Sequence, residues 1–213
     1  IKNEENYKLI KQENEYLKNN IKDKYFVYNR FNVMDNISRF RKLLVHKYLF
    51  DETINVPGHI VECGVFNCSS LFQFLKFKKI FIPNSQKRII GFDFFDDKVE
   101  IKNTNDKILM NNLYKKSNFT GYNVKYIYKK AEEQGFIKNK DIELVKGNIL
   151  KTLNVFLENK PGFRISLLHM DLDVENPTYY VLKTLIKYMI PGSIIAFDEY
   201  NLDKWSESNG VDR

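Results

Sequence analysis

Residues 57–74, PGHIVECGVFNCSSLFQF, confine the fold more than any other stretch of the chain. A short apolar run, Ile60 and Val61, meets an acid, Glu62, and then Gly64. A compact polar segment, Asn67 to Ser70, leads into Leu71, Phe72, Phe74 and Leu75 at helical spacing. The order is strand, tight loop, helix. Such a loop lies where a helix N-terminus presents free N–H groups to the anionic part of a ligand.

The rest of the chain reads as further units of this kind. Before it, residues 1–24 are rich in Lys, Glu and Asn, with Tyr7, Ile10, Leu17 and Ile21 near helical spacing. Asp35 and Asn36 can cap a helix over 37–50, with Ile37, Phe40, Leu44 and Tyr48 on one face. Residues 1–54 are therefore expected to form an N-terminal helical extension or lid. After it, strands are predicted at 60–63, 88–94, 142–146, 166–170 and 193–197. Helices are predicted at 70–79, 131–136, 150–159 and 177–189, the last with Pro177 at its start. Residues 98–116 read as a loop with some helix, and 122–128 carry no clear pattern. Pro191-Gly192 reads as a turn before the fifth strand. Alternating strands and helices imply an α/β chain with a doubly wound, mostly parallel sheet. Ligands of such sheets bind beyond the carboxyl ends of the strands. Glu62, Asp93, Asn148, Asp171, Asp198 and Glu199 all fall there.

Two signals carry chemistry. Asp93 ends the second predicted strand, where a carboxylate can accept both hydroxyls of a ribose. Yet the glycines that let backbone approach a pyrophosphate are missing: Gly64 stands alone, with Phe66 and Ser69 at the later positions. This disfavours a nicotinamide dinucleotide. A ligand with ribose and adenine but no phosphate fits better, which points to S-adenosylmethionine. The second signal is the acids at the ends of strands four and five, one helix crossover apart. Asp171, Asp198 and Glu199 with water would suit a hard cation such as Mg²⁺; ordinary loop acids are the plainer reading. His169 shares the strand side of Asp171 and reads as a packed or supporting histidine.

These segments, taken together, carry a resemblance. Residues 61–66 (VECGVF), 89–93 (IIGFD), 144–147 (LVKG), 169–173 (HMDLD) and 191–200 (PGSIIAFDEY) resemble the macrocin O-methyltransferase family over roughly residues 55–213. Trp205 followed by Gly210-Val211-Asp212 is similar as well. The family comprises metal-dependent class I methyltransferases that use S-adenosylmethionine to methylate sugars. The resemblance implies a Rossmann-like methyltransferase domain over 55–213, with Glu62 and Gly64 in the cofactor loop and Ser70 on the cofactor's methionine carboxylate. It further implies Asp93 on the ribose, Gly147 and Asn148 at the adenine edge, and Asp171, Asp198 and Glu199 on Mg²⁺, with Asp171 also the base. It allows a homo-oligomer and points to a sugar or sugar nucleotide as the substrate.

Three features depart from the family. Cys68 and Ser69 stand where its loop carries glycines, so a β-carbon could crowd the cofactor. Glu199 stands where Asp is common. The chain ends at Arg213, where class I methyltransferases usually add a helix and two strands, which implies a segment incomplete at its C-terminus. Ile1 in place of an initiator Met implies a processed chain or a fragment. The Cys68-Ser69 departure keeps a competing reading open, a catalytically silent binding protein on the same scaffold.

Composition limits the remaining classes. The net charge is +7, but the lysines are spread along the chain. That favours solvated surface over a nucleic-acid face, although a nucleic-acid methyltransferase is the third reading. No apolar run approaches the roughly 20 residues of a membrane span, and no secretory leader is visible. Cys63 and Cys68 fit neither a zinc pattern nor a disulfide framework and read as reduced thiols of a cytoplasmic protein.

Overall fold

The computed structural model describes residues 37–95, 107–108, 111–112, 122–198, 200–201 and 206–213. The chain divides into two units, Ile1–Lys42 and Leu43–Arg213. Of the first, only the opening of helix α1 (Ile37–Thr53) is described.

The second unit is built on five parallel strands in the order β3-β2-β1-β4-β5. These are β1 (His59–Cys63), β2 (Ile89–Asp93), β3 (Ile142–Lys146), β4 (Ile165–Met170) and β5 (Met189–Phe197). Between them run α2 (Ser69–Phe81), α3 (Val124–Glu133), α4 (Ile149–Glu158) and α5 (Glu175–Leu185), with α6 (Glu207–Asp212) after the last strand. The chain winds outward from β1 through β2 to β3, then returns to β4 and β5 on the other side of β1. That is the doubly wound arrangement expected from the sequence.

Side-chain alternation decides the two cores. Ile60, Ile89 and Leu167 face Phe50, Phe74, Leu75 and Ile127 of α1, α2 and α3. Their neighbours Val61, Ile90 and Leu168 face Leu153, Phe156, Val181 and Leu185 of α4 and α5. Each such buried side chain is worth about 1.5–3 kcal/mol over an exposed one. The strands read as near-continuous apolar runs because both faces are covered.

Helix α1 turns a different face inward from the one expected. Phe50 and Thr53 are fully buried and His46 nearly so, whereas Ile37, Phe40, Leu44 and Tyr48 are exposed. The i, i+4, i+7 row of His46, Phe50 and Thr53 is therefore the packing row of this helix. Helix α3 begins earlier than predicted, at Val124, because Asn123 caps it by accepting from the Tyr126 N–H at 2.9 Å. It ends at Glu133, with Gly135 in the left-handed region beyond.

Pro191-Gly192 is no turn but a bulge inside β5, which starts at Met189 and shifts register against β4 between Ile165 and Leu167. A proline there breaks no ladder, since β5 is an edge of the described sheet. The Ser193 hydroxyl spans the bulge, donating to the Ile165 carbonyl at 2.7 Å and accepting from the Ile190 N–H at 3.0 Å. Helix α6 packs on α5 through Gly210, where a β-carbon would come within 2.4 Å of the Glu175 carbonyl oxygen. Most of the predicted loop at 98–116 lies outside the described residues; 107–108 and 111–112 are helical.

At the amino end of the sheet His59 is held neutral. Burial lowers its pKa to about 4, helped by the charges of Arg88, Lys87, Lys160 and Lys78. The unfolded chain takes up this proton near 6.5, the folded chain only near 4. Between those values the unfolded state binds more protons, so the contribution of His59 is complete above 6.5 and is lost as pH falls toward 4. Urea unfolding across this range should show wild-type stability falling with acidification more steeply than that of His59→Gln. Parallel slopes would exclude the assignment.

Candidate active site

The winding of the chain reverses between β1 and β4, and in open α/β sheets the ligand crevice forms at that point, beyond the strand ends. Here the ladder continues one residue past the strands. Gly147 N–H donates to Asp93 O, Gly64 N–H to Phe92 O, Asp171 N–H to Cys63 O and Asp198 N–H to Met170 O, all at 2.8–2.9 Å. Gly147, Asp93, Gly64, Asp171 and Asp198 are thereby set side by side along one rim. At the centre the β1 and β4 backbones nearly touch. Gly64 has φ +89°, and a β-carbon on it would lie 1.7 Å from the Asp171 carbonyl oxygen.

The loop from β1 to α2 is folded around Asp93. Its Oδ2 accepts from the Val65 and Phe66 N–H groups, both at 2.6 Å, and its Oδ1 from the Phe95 N–H at 3.0 Å. A carboxylate has about four acceptor positions, so Oδ1 retains room for one further hydroxyl. Phe66 and Cys68 both adopt left-handed backbone, with φ 42° and 63°. Cys68 thus takes the conformation that glycine would supply, at a cost of about 1–2 kcal/mol. The residue is buried and belongs to the apolar cluster that includes Leu71 and Phe74. Ser69 simply opens α2.

Two expected cofactor contacts are engaged elsewhere. Ser70 is buried, and its hydroxyl donates to Glu62 Oε1 beneath the loop. The Asn148 side chain caps α4 by accepting from the Leu150 N–H at 3.0 Å. Asp171 and Asp198 stand on neighbouring strand ends, Met170 pairing with Phe197 just before them. Glu199 lies outside the described residues.

Beneath the rim lies a polar array that sequence reasoning missed in part. Glu62 and His169 are register partners on β1 and β4 and face α1 and α2. Glu62 is fully buried; Oε1 meets His169 Nδ1 at 3.0 Å, and Oε2 has no hydrogen-bond partner among the described residues. On its other side His169 Nε2 is 4.0 Å from Asp198 Oδ1. Burial disfavours the charged imidazole. The bond to Glu62 and the charges of Glu62, Asp171 and Asp198 nonetheless carry its pKa above the ordinary value. From α1, His46 stacks edge-on against His169 with ring centroids 5.0 Å apart, and its Nδ1 meets Gln73 Oε1 at 2.6 Å. The sequence signal for His46 was its place in the row with Phe50 and Thr53.

The sequence matches no protein-family model and no curated protein sequence. Solved structures do resemble the chain. One is CalS11, described as a calicheamicin methyltransferase, with TM-score 0.77 and 25% identity over 97% of this chain and 83% of that one. The apo structure of CalS11, described as a TDP-rhamnose 3'-O-methyltransferase of calicheamicin biosynthesis, gives TM-score 0.72 at the same identity and coverage. The O-methyltransferase NovP gives TM-score 0.67 and 17% identity over 80% of this chain and 69% of that one. The chain has the Rossmann-like class I methyltransferase fold, in agreement with the resemblance carried by the strand-end motifs. Among the described residues no helix is long and apolar enough to cross a membrane.

Two outcomes follow from this geometry. Gly64→Ala should destabilise the chain by more than ~2 kcal/mol in urea unfolding, since a β-carbon at positive φ collides with backbone; a near-wild-type midpoint would contradict the close approach. Burial, with the charges of Glu62 and Asp93, pushes the Cys68 thiol up to about 12, and burial with Glu62 pushes Cys63 higher still. Neither should react with iodoacetamide in the native chain at mildly alkaline pH, while both react in denaturant. Rapid native labelling would count against the loop as described.

Proposed function

We propose that the chain is an S-adenosylmethionine-dependent O-methyltransferase acting on a hydroxyl of a sugar or sugar nucleotide. The observation that carries this reading is the likeness to CalS11 over 97% of the chain. The rim agrees with it. Gly64, without a β-carbon, lets the β1 and β4 backbones close on each other at the centre of the rim, and Asp93 keeps an acceptor position for a ribose hydroxyl.

When bound, the cofactor supplies a methyl group on a sulfonium, a ready electrophile that needs alignment more than activation. The chain's own residues would provide that alignment. Glu62 and Gly64 shape the cofactor loop, Asp93 takes a ribose hydroxyl, and Gly147 and Asn148 border the adenine. Ser70 can reach the methionine carboxylate only by leaving Glu62. Asp171, beside Gly64 at the centre of the rim, is the proposed base that takes the acceptor hydroxyl's proton. Asp171 and Asp198 fit a hard cation as paired oxygen donors on adjacent strand ends, and with Glu199 they would hold Mg²⁺. That ion when bound supplies positive charge that acidifies a nearby hydroxyl.

The turn of Ser70 toward Glu62 and the left-handed Cys68 favour a second reading, a silent binding protein on this scaffold. Calorimetric titration with S-adenosylhomocysteine, with NAD⁺ as control, separates the two. The enzyme reading expects a dissociation constant on the order of micromolar for S-adenosylhomocysteine and no binding of NAD⁺. Asp93→Ala should weaken that binding about tenfold or more, roughly 1.4 kcal/mol. Asp171→Asn should retain it while losing methyl transfer to a sugar nucleotide. A folded chain that ignores S-adenosylhomocysteine would support the silent scaffold.

A further inference from the structure

We propose that His46, His169 and Asp198 form a binding site for a divalent first-row transition-metal ion of the zinc or cobalt kind. One ligand atom from each of the three lies within 4.8 Å of the other two. The site occupies the sheet face under the rim. It is separate from the all-oxygen set of strand-end acids, although Asp198 belongs to both, and it does not depend on the methyl-transfer reading.

The arrangement of the two imidazoles carries the inference furthest. Each ring is held at Nδ1 by an acceptor, His169 by Glu62 Oε1 at 3.0 Å and His46 by Gln73 Oε1 at 2.6 Å. An acceptor at Nδ1 favours the tautomer protonated there, which makes Nε2 the nitrogen that ligates once an ion displaces its proton. Metal-binding histidines are oriented in this way, the carboxylate contact also raising the basicity of the ring. In His169 the Nε2 so prepared faces Asp198 Oδ1 at 4.0 Å.

Electrostatics point the same way. Glu62 is fully buried, Oε2 has no hydrogen-bond partner, and no Lys or Arg pairs with it among the described residues. A buried carboxylate in that position calls for positive charge close by. An ion on His169 would stand one imidazole away from Glu62 and directly against Asp198. The surroundings suit tight binding. His46 and His169 are each 2% exposed, and the ring of Phe74 packs 5.3 Å from the first and 6.1 Å from the second. The Asp198 side chain is 21% exposed and marks the solvent side. Around one ion at about 2.1 Å the ligand atoms stand about 3.4 Å apart, so the set closes by roughly an ångström on binding.

The donor set chooses the ion. Two imidazoles and one carboxylate suit zinc, iron, cobalt or nickel, whereas Mg²⁺ takes oxygen ligands and retains its waters. A set of three protein ligands with one further position is the pattern of reactive rather than purely structural sites.

The test uses the whole chain after chelator treatment, titrated with Co²⁺, Zn²⁺ and Mg²⁺ and followed by calorimetry and visible absorption. One Co²⁺ per chain should bind with visible d–d bands, Zn²⁺ should displace it, and equimolar Mg²⁺ should not. Proton NMR of the Co²⁺-loaded wild-type chain should show two strongly shifted, exchangeable imidazole N–H signals, one from each histidine, a readout that needs no variant to fold. In His46→Gln one signal should disappear and Zn²⁺ affinity should fall about 100-fold or more, while Gln73→Leu should weaken it about tenfold. Absence of Co²⁺ binding, binding without shifted imidazole signals, or Zn²⁺ affinity indifferent to His46→Gln would each overturn the proposal.

Discussion

The contact on which the site depends is the near-touch of two backbones, Gly64 against the Asp171 carbonyl. Adjacent parallel strands normally diverge into separate loops once their ladder ends. Here Asp171 N–H still donates to Cys63 O while Gly64 passes beneath the Asp171 carbonyl with φ +89°. The centre of the rim is therefore built from main chain, and its position is set by the sheet rather than by side-chain rotamers. Asp93 extends the same logic sideways: one carboxylate oxygen collects two successive N–H groups from the β1 loop and fixes where that loop leaves the sheet. Fixed dipoles and close backbone at a strand-end crevice are what a positioning catalyst needs.

A second constraint lies one layer down. Burying Glu62 in the middle of the sheet costs several kcal/mol unless its charge is answered. Ser70 and His169 answer one oxygen; the other has no hydrogen-bond partner among the described residues. The demand passes along the register pair to His169, and from there to the gap between His169, Asp198 and His46. A proton on His169 meets it in part, as the raised pKa indicates. A divalent ion would meet it more fully, because its charge also faces Asp198. The same physical deficit thus links a strand residue that the sequence marks as part of a cofactor loop to His169, which it marks as a packed or supporting histidine, and to His46, which it leaves unmarked.

How far the sequence could be read depended on how local each cause was. The five strands were legible because each is an apolar run bounded by a polar strand end, and β3 was found at 142–146 to the residue. The rim residues were legible for the same reason, since chain order and strand ends place Asp93, Asp171 and Asp198 together. Helix α1 was misread. Ile37, Phe40, Leu44 and Tyr48 form a regular apolar stripe, yet tertiary packing selected the row of His46, Phe50 and Thr53. Pro191-Gly192 was misread because a bulge and a turn share the same residues, and only the register against β4 separates them. Gln73 and His46 could not be joined from sequence at all, since their contact bridges two helices that meet only once the sheet has formed.

The loop at Cys68 shows how a departure from a family's pattern should be weighed. A β-carbon in place of glycine raises two distinct questions, whether the backbone can adopt the turn and whether the new atoms block the ligand. The first is settled by φ 63° at Cys68, at a cost of about 1–2 kcal/mol that burial of a small side chain partly offsets. The second depends on burial. Cys68 is 2% exposed and belongs to the apolar cluster that includes Leu71 and Phe74, and Ser69 enters α2 as an ordinary helical residue. The substituted glycines therefore change the stability of the turn more than the shape of the crevice above it. It is Ser70, drawn under the loop by the buried charge of Glu62, that separates this loop from an open cofactor cradle. Ser70 and His169 share the same oxygen of Glu62, so a cation held at His169 would compete with Ser70 for that charge.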